Sequence, residues 1–420
     1  MKTKTANRKR RIKDILRQAI TWILSSFYGI ILIAILSFIF RTGWTTLTPA
    51  MLKNNYRAEN IMAAFDRETE EKAEKHFQPP ETLPENAAFS SRYGIALVDG
   101  ISHEKERYIQ VVWIDPDSPL RTAHITTAGP NQGQPCAVES GMHIKKIRYL
   151  DAEGETKSAG IIQGQDAASC VESIENSQYL LDYYAQTGGG GIRGALYATL
   201  ILIGLTLVIA LPIGIFAAVY LHELAPDNRL TNLLRTCIDL LNGVPSIIFG
   251  LMGMTVFFPI TQLFGVTTQS ILLGALTMAV ILLPTIIRQT EEALNDVPVS
   301  VRMGSLSLGA TQTQTIFKLV LPAATGGILS AALLSISRVV GESAALIYTM
   351  GASLNDYPAW DQSGASLAVH IWSIMSGEQP NFELASAISI FILAIVLFLN
   401  LIVKTMTLRL SAKRRGHSAN

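Results

Sequence analysis

The chain has 420 residues, of which 49% are hydrophobic and only 16% are charged. A typical soluble domain is about one quarter charged, so this composition excludes a protein that is soluble throughout. The charged residues are concentrated at the two ends and between residues 57 and 182, and the net charge of +1 hides that segregation. The pattern predicts membrane spans joined to one soluble domain.

Six apolar stretches are long enough to cross a bilayer as helices, which takes about 20 residues. They are residues 19–40, 194–221, 238–260, 270–287, 326–350 and 385–406. The apolar core of the first stretch is longer than the roughly 7–15 residues of a signal peptide, and no Ala-x-Ala cleavage site follows it. We therefore expect the first stretch to be a retained membrane anchor.

Lysine and arginine are placed as expected for a chain whose two ends are cytoplasmic. The first 17 residues carry eight of them, and the C-terminal tail carries Lys413, Arg414 and Arg415. The loops 261–269 and 351–384, which six spans would place outside, contain none. The distribution predicts a multi-pass protein of the cell inner (plasma) membrane, with the segment after the first span in the periplasm of a Gram-negative cell.

That segment, residues 41–193, has the composition of a soluble domain. A charged pattern at 54–77 predicts a helix that extends the first span, and a further helix is expected near 170–185. Strand-like runs of β-branched and aromatic residues stand between clusters of glycine, proline and aspartate. They lie at 93–100, 105–115 and 142–151. Together these patterns predict an α+β periplasmic domain inserted between the first and second spans.

Two cysteines and a glycine-rich segment leave alternatives open in this domain. Cys136 and Cys170 would form a disulfide in an oxidising compartment, and two free thiols are equally expected. The segment GGGIRG at 189–194 matches a dinucleotide-binding pattern. A membrane span follows it directly, however, where that pattern requires a soluble strand and helix. We therefore expect a flexible hinge at this point.

The sequence contains no Gly-x-x-x-x-Gly-Lys-Ser/Thr phosphate-binding loop and no clustered catalytic or metal-binding motif. We therefore expect no cofactor, metal or catalytic residue on this chain, and no binding to nucleic acid. If ATP drives the protein, ATP and Mg²⁺ are bound by a partner ATPase.

The cytoplasmic segment 288–322 is long and amphipathic. It predicts two short helices beneath the bundle, one at 299–308 ended by Gly309 and one at 311–319 stopped before Pro322. Such a pair would form a docking surface for another protein. The alternative is a loop that only connects two spans.

This segment resembles the cytoplasmic EAA loop of type I ABC importer permeases, which reads Glu-Ala-Ala, three residues, Gly, nine residues, and Ile-x-Leu-Pro. The residues that match its second half are Gly309, Leu319, Leu321 and Pro322. Those that stand in place of Glu-Ala-Ala are Met303, Gly304 and Ser305. The resemblance implies that a separate ATPase docks here without the usual acid, and Arg302 remains available for polar contact.

Four further stretches narrow the resemblance to one group of these permeases. The motifs LLNGVPSIIFGL, LLPTIIRQTEEAL and SRVVGESAALIYTMG look like the membrane subunits of bacterial phosphate ABC importers, and ASLAVHIW looks like their PstA-type subunit. The resemblance covers about residues 194–404. It implies a membrane all-α permease of six transmembrane helices. It also implies a second permease subunit of PstC type, a dimer of ATPase subunits and a periplasmic phosphate-binding protein as partners.

The chain is then expected to have four parts. Residues 1–40 form a cytoplasmic tail and the first transmembrane helix, and 41–193 form the periplasmic domain and its hinge. Residues 194–406 form the permease core, which contains the coupling loop 288–322, and 407–420 form a second cytoplasmic tail.

Two full charges, Arg338 and Glu342, stand in the apolar surroundings of the fifth span. Four residues apart on a helix, they lie on one face and can pair. An unpaired charge at mid-bilayer costs at least about 2.5–3.5 kcal/mol, so both must face protein or water. One explanation is a fixed salt bridge. The other is an anion pathway, in which Arg338 binds phosphate through two parallel hydrogen bonds and Glu342 holds Arg338 while the site is empty.

The resemblance implies the anion pathway, because arginines at the family positions of Arg338 and Arg288 are implicated in phosphate passage. Arg288 lies at the inner end of the fourth span. A positively charged anchor at the membrane surface explains this position equally well.

The sequence therefore favours the permease subunit of an ATP-driven importer of inorganic phosphate. An importer of another oxyanion, such as sulfate, molybdate or phosphonate, is the alternative, since arginine suits all of them. A non-transporting sensor or scaffold would need a cytoplasmic signalling domain, which neither tail supplies. An intramembrane enzyme would need paired catalytic groups within the spans, and the sequence shows none.

Overall fold

The computed structural model describes residues 2–56, 59–65, 76–80, 83–101, 106–127, 132–377 and 380–417. The chain forms two compact units. We call Met1–Pro49 together with Ala195–Asn420 the helical unit, and Ala50–Gly194 the sheet unit. The sheet unit is thus an insertion in the sequence of the helical unit.

In chain order, the regular elements are α1 (Lys2–Gly43), α2 (Pro49–Lys53), β1 (Asn60–Phe65), β2 (Ala88–Ser90), β3 (Ile95–Ile101), β4 (Arg107–Ile114), β5 (Ala123–Ile125), β6 (His143–Leu150), β7 (Thr156–Ala159), α3 (Ala167–Glu175), β8 (Tyr179–Gln186), α4 (Arg193–Val219), α5 (Arg229–Leu241), α6 (Ser246–Gln262), α7 (Ile271–Asn295), α8 (Val299–Ser307), α9 (Gln312–Thr315), α10 (Leu321–Gly341), α11 (Ala344–Thr349), α12 (Leu367–Met375) and α13 (Phe382–His417). Two π-helical turns, Tyr220–Leu224 and Ile316–Val320, follow α4 and α9.

The helical unit contains the apolar helices. Five helical stretches are long and apolar enough to cross a membrane: Arg17–Gly43, Arg193–Leu224, Ile271–Asn295, Gln312–Gly341 and Phe382–Ile402. A sixth is obtained if α5 and α6, which are bent by 109° relative to each other, count as one span. The described part of the chain therefore holds five or six candidate spans.

The predicted third span, 238–260, is not one straight helix. α5 ends at Leu241 and α6 begins at Ser246, directly after Pro245. Proline lacks a backbone N–H and pushes the residue before it out of the helical region, so it cannot continue α5. The Gly243-Val244-Pro245 sequence therefore separates two helices.

The predicted fifth span, 326–350, begins and ends earlier than expected. The helical stretch starts at Gln312, passes through the second π-helical turn and stops at Gly341. Pro322 does not interrupt it, because this proline stands in the first turn of α10, where its missing N–H is not needed. The short helix predicted at 311–319 is thus the beginning of this span rather than a separate element.

The sheet unit combines one eight-stranded antiparallel sheet with the helix α3. The strand order is β2-β3-β4-β6-β8-β1-β5, and β7 pairs with β6. Asp166 is the N-cap of α3 and accepts a hydrogen bond from the Ser169 N–H at 2.9 Å. The helix contributes Cys170 and Ile174 to the buried core of the unit.

Of the two helices predicted in this region, the one at 54–77 is wrong in its described residues and the one near 170–185 is only partly correct. Residues 60–65 of the predicted helix 54–77 form β1, which pairs with β8 and β5, while 66–75 lie outside the described residues. The helix expected near 170–185 is α3 up to Glu175, and β8 follows it. Pairing with distant strands overrides the local pattern in both places.

The glycine-rich segment expected to be a flexible hinge is held in place. The bonds are Gly190 N to Tyr56 O, Gly191 N to Asn55 O, and Ile192 N to Met51 O, at 2.8–3.0 Å. A Cβ atom on Gly191 would collide with the carbonyl group of Asn54, so only glycine fits there. The prediction of a free hinge is therefore wrong for residues 190–192.

Cys136 and Cys170 are free thiols, so the disulfide considered from the sequence is not formed in this structure. Burial, with smaller contributions from the carboxylates of Asp99 and Asp166, raises the pKa of Cys170 to about 12. The Sγ atom of Cys136 accepts a hydrogen bond from the Tyr183 hydroxyl at 3.4 Å.

Candidate functional site

Arg338 lies in the last turn of α10 and reaches across to α7. Its Nη1 donates a hydrogen bond to the Thr285 hydroxyl at 3.0 Å. Arg288 follows Thr285 by three residues, which places it on the same side of α7 and about 4.5 Å further along the axis. The structure thus brings the two predicted pathway arginines to one side of one helix.

Glu342 does not lie on the same helix face as Arg338. α10 ends at Gly341, and Glu342 has extended backbone angles (φ −80°, ψ 127°). Its Oε1 accepts a hydrogen bond from the backbone N–H of Ala345 at 3.3 Å, in the first turn of α11. Within the described part of the chain no ion pair joins Arg338 to Glu342, so the predicted i,i+4 pair is wrong. The extended residue after Gly341 directs the carboxylate towards the next helix instead.

Arg288 forms an ion pair with Asp239 of α5. Both side chains are about half exposed, at 51% and 49%. The pair borders a cavity of about 420 Å³ between α5 and α7. The other residues around this cavity are His222, Arg235, Ile238, Glu291, Glu292 and Asn295. The cavity therefore mixes both signs of charge.

A second ion pair, between Arg235 of α5 and Glu291 of α7, also connects these helices. The Nε of Arg235 lies 4.0 Å from the Glu291 carboxylate, and its Nη2 donates to the carbonyl oxygen of Leu221 at 2.8 Å. Two ion pairs therefore join α5 to α7, and a hydrogen bond joins α5 to the π-helical turn after α4.

The predicted coupling loop contains α8, which begins at the expected residue and ends one residue before the expected one. Gly309 follows it with φ +85°, a conformation that glycine adopts without strain. The large apolar side chains that α8 and its C-terminal end leave exposed are Val299, Val301, Met303, Leu306 and Leu308. Ser305 is buried and its hydroxyl lies 2.9 Å from that of Thr315. At the far end of the loop, Leu319 and Pro322 are exposed and Leu321 is partly buried.

Arg302 is not available for contact with a partner, contrary to the sequence-based expectation. Its side chain is only 17% exposed. The guanidinium donates to both carboxylate oxygens of Glu223, with the shortest distance, 2.7 Å, from Nη2 to Oε1. The exposed surface of α8 is therefore uncharged and largely apolar, and its arginine points inward.

Glu223 was not among the functional residues predicted from the sequence. A signal for it was nevertheless present. Glu223 stands at the end of an apolar span, where a carboxylate needs a cationic partner. Its partner lies 79 residues away, so the pairing itself could not be read from local spacing.

Comparison with known proteins matches residues 210–416 to a family described as binding-protein-dependent transport system inner membrane component. The probable ABC transporter permease protein YqgI of Bacillus subtilis is 34% identical over 232 residues, which are 52% of this chain and 78% of that protein. The phosphate transport system permease protein PstA of Pasteurella multocida is 33% identical, over 51% of this chain and 75% of that protein.

A third relative is the phosphate transport system permease protein PstA 1 of Mycobacterium tuberculosis, 32% identical over 54% of this chain and 72% of that protein. Among solved structures, an inward-facing MetNI methionine ABC transporter is 22% identical, with a TM-score of 0.40 over 52% of this chain and 95% of that chain. The relatives are permease proteins by name, and the residues matched by the family model lie in the helical unit. The chain belongs to the binding-protein-dependent inner membrane components, the permeases of ABC importers, and within them to the PstA type.

Proposed function

We propose that the chain is the permease subunit of an ATP-driven importer that carries inorganic phosphate across the cell inner membrane. The observation that carries the proposal is the position of Arg338, fixed by Thr285 where α10 meets α7, with Arg288 one turn further on the same side of α7. Three relatives of this type, from Pasteurella multocida, Mycobacterium tuberculosis and Mycobacterium leprae, are phosphate permeases by name.

The chemistry of a guanidinium suits this cargo. Phosphate carries one to two negative charges at neutral pH, and a guanidinium meets two of its oxygens with parallel hydrogen bonds. Arginine does not lose its charge in proteins, so the site would attract anions at any physiological pH. Arg338, bonded to Thr285 of α7, and Arg288, about one turn beyond Thr285, would pass the anion from one to the other.

Glu342 remains part of the proposed pathway, but its role differs from the one predicted from the sequence. It would not hold Arg338 directly, because its carboxylate accepts a hydrogen bond from the first turn of α11. It would instead fix the break between α10 and α11, four residues beyond Arg338, and limit how strongly an anion binds nearby.

The topology and partners form part of the same proposal. With α5 and α6 counted as one bent span, six crossings place both termini in the cytoplasm and the sheet unit in the periplasm. The partners would be a PstC-type permease subunit, a dimer of ATPase subunits that binds ATP and Mg²⁺, and a periplasmic phosphate-binding protein. The exposed face of α8 would be the surface on which an ATPase subunit docks.

The test is ATP-driven uptake by the whole complex, co-purified with its partners and reconstituted in liposomes. We expect phosphate to be accumulated in preference to sulfate and molybdate. Losing charge-assisted hydrogen bonds of about 1.5–3 kcal/mol should make Arg338→Gln roughly 10- to 100-fold slower. Arg229→Gln, which removes an exposed guanidinium at the start of α5, is the matched control. Preference for another oxyanion, or full uptake by Arg338→Gln in an assembled complex, would contradict the proposal.

A further inference from the structure

The ion pair between Glu223 and Arg302 joins the coupling loop to the end of a membrane helix. Glu223 lies in the π-helical turn that follows α4, and Arg302 lies in α8. The Nε of Arg302 is 3.2 and 3.3 Å from the two carboxylate oxygens, and Nη2 is 2.7 Å from Oε1. Two N–H donors of the guanidinium therefore bind one carboxylate. This pairing fixes the relative orientation of the two groups as well as the distance between them.

The same guanidinium also holds the end of α7. Its Nη2 donates to the carbonyl oxygen of Leu294 at 2.8 Å, and Nη1 donates to that of Val297 at 2.5 Å. The side-chain amide of Gln312 donates to the backbone carbonyl of Glu223 at 3.0 Å. One cluster therefore links four segments: the end of α4, the end of α7, α8 and the start of α9.

Burial makes this cluster persistent. The side chains of Arg302 and Glu223 are only 17% and 10% exposed. An apolar core cluster lies nearby, formed by the end of α4, the end of α7, the second π-helical turn and the start of α10, and it includes Val219, Leu294, Val297, Ile316 and Val320. Removing one partner of a buried ion pair costs about 3–5 kcal/mol. The half-exposed pair of Arg288 and Asp239, in contrast, is worth at most about 1 kcal/mol and can open readily.

The position of the cluster suggests what it does. α8 exposes Val299, Val301, Met303 and Leu306 and turns Arg302 inward, where its guanidinium binds Glu223. A partner that moves α8 would therefore also move the ends of α4 and α7, because the guanidinium of Arg302 is hydrogen-bonded to both. Both π-helical turns border the cluster, and π-helical turns are frequent at functional sites.

We infer that Arg302 and Glu223 are positioning residues that transmit movement of α8 to the inner ends of α4 and α7, and so couple ATP hydrolysis to opening of the pathway. The inference rests on the proposed function, because it assumes that an ATPase acts on α8. It assigns contact with the ATPase to the exposed apolar side chains of α8, and connection to the membrane helices to the buried Arg302.

The test measures uptake and ATP hydrolysis together in the reconstituted complex. Glu223→Gln keeps the shape of the side chain and removes its charge, and Arg302→Lys keeps the charge and removes the two-donor grip. We expect both variants to hydrolyse ATP at a rate similar to the unaltered complex, and uptake per ATP to fall at least about tenfold, within the usual range of coupling between sites. Asp227→Asn, an exposed carboxylate four residues from Glu223, is the control and should leave the ratio unchanged.

A purely structural role would lower the yield of assembled complex without changing uptake per ATP, and this result would overturn the inference. If Glu223→Gln does not assemble, Arg302→Lys decides the question. The uptake assay uses whichever anion the unaltered complex carries. If the complex prefers sulfate, the phosphate proposal is refuted. Uptake per ATP can then be measured with sulfate, so the coupling inference is still tested.

Discussion

Arg338 donates a hydrogen bond of 3.0 Å to the hydroxyl of Thr285, and this bond ties the last turn of α10 to α7. The bond leaves the remaining donors of the guanidinium for other partners. If Arg338 binds the transported anion, Thr285 sets the direction from which it does so. Replacing the hydroxyl with a methyl group tests this arrangement without removing the charge.

Thr285→Val should therefore slow uptake about 5- to 10-fold, since one side-chain hydrogen bond contributes about 1 kcal/mol or slightly more. The reason is loss of a fixed orientation for Arg338, so the half-saturating anion concentration should rise. Thr255→Val is the control, because the Thr255 hydroxyl bonds only to carbonyls of its own helix, those of Leu251 and Met252. Equal kinetics for the two variants would show that Thr285 does not orient the arginine.

The pair of Arg288 and Asp239 offers a second test at the cavity between α5 and α7. Asp239→Asn removes the internal competitor for Arg288, so an anion should bind this arginine more tightly and leave it more slowly. We expect the half-saturating concentration and the maximal uptake rate to fall together. Because the pair is half exposed, thermal stability should change by less than about 1 kcal/mol. A rise in half-saturating concentration would contradict competition, and Asp296→Asn, an exposed carboxylate after α7, serves as the control.

Two helical glycines allow a stability test with an internal control. A Cβ atom on Gly250 of α6 would lie 2.8 Å from the Cα and carbonyl oxygen of Ala345 in α11, whereas one on Gly204 of α4 would meet no heavy atom within 4 Å. Gly250→Ala should therefore be about 1–3 kcal/mol less stable than Gly204→Ala, because backbone must move to admit the methyl group. Denaturation of the isolated chain in detergent measures the difference. Equal stability would mean that α6 and α11 are not in close backbone contact.

The thiols of the chain predict an order of chemical reactivity. Thiolate is the reactive form, and burial raises the pKa of Cys170 to about 12, so maleimide at neutral pH should label Cys170 last. The partly buried Cys136 of the same unit should react before it. Mass spectrometry of labelled peptides gives the order, and a Cys136–Cys170 disulfide in the untreated protein would contradict the structure.

The same raised pKa has a consequence for stability. The unfolded chain begins to ionise this thiol near its ordinary pKa of 9.0, while the folded chain keeps it protonated up to about 12. The unfolded state therefore gains stability from deprotonation as the pH rises through that interval, and the sheet unit should become less stable. Cys170→Ala should reduce this dependence on pH, although the loss of buried volume lowers stability overall.

Long apolar runs made the main helices predictable from the sequence, because a stretch of about 20 apolar residues is typical of a membrane-spanning helix. α8 was also predictable, since the glycine with φ +85° after it is a strong helix terminator. The break at Glu342 was not, because Gly341 is flanked by residues that suit a helix equally well. The sheet unit was harder still: β1 exists through its pairing with β8, more than 100 residues away, and local charge pattern carries no information about that partner.

The paired backbone at 51–56 and 190–192 means that the chain enters and leaves the sheet unit through adjacent segments, with Ile192 N and Met51 O only 2.8 Å apart. Evolution could therefore add or delete this module as one piece, since the severed ends would already be neighbours and a few linker residues would close the gap. A shortened chain made this way would retain every candidate transmembrane element. Its behaviour would reveal which properties of the importer depend on the module and which belong to the membrane core alone.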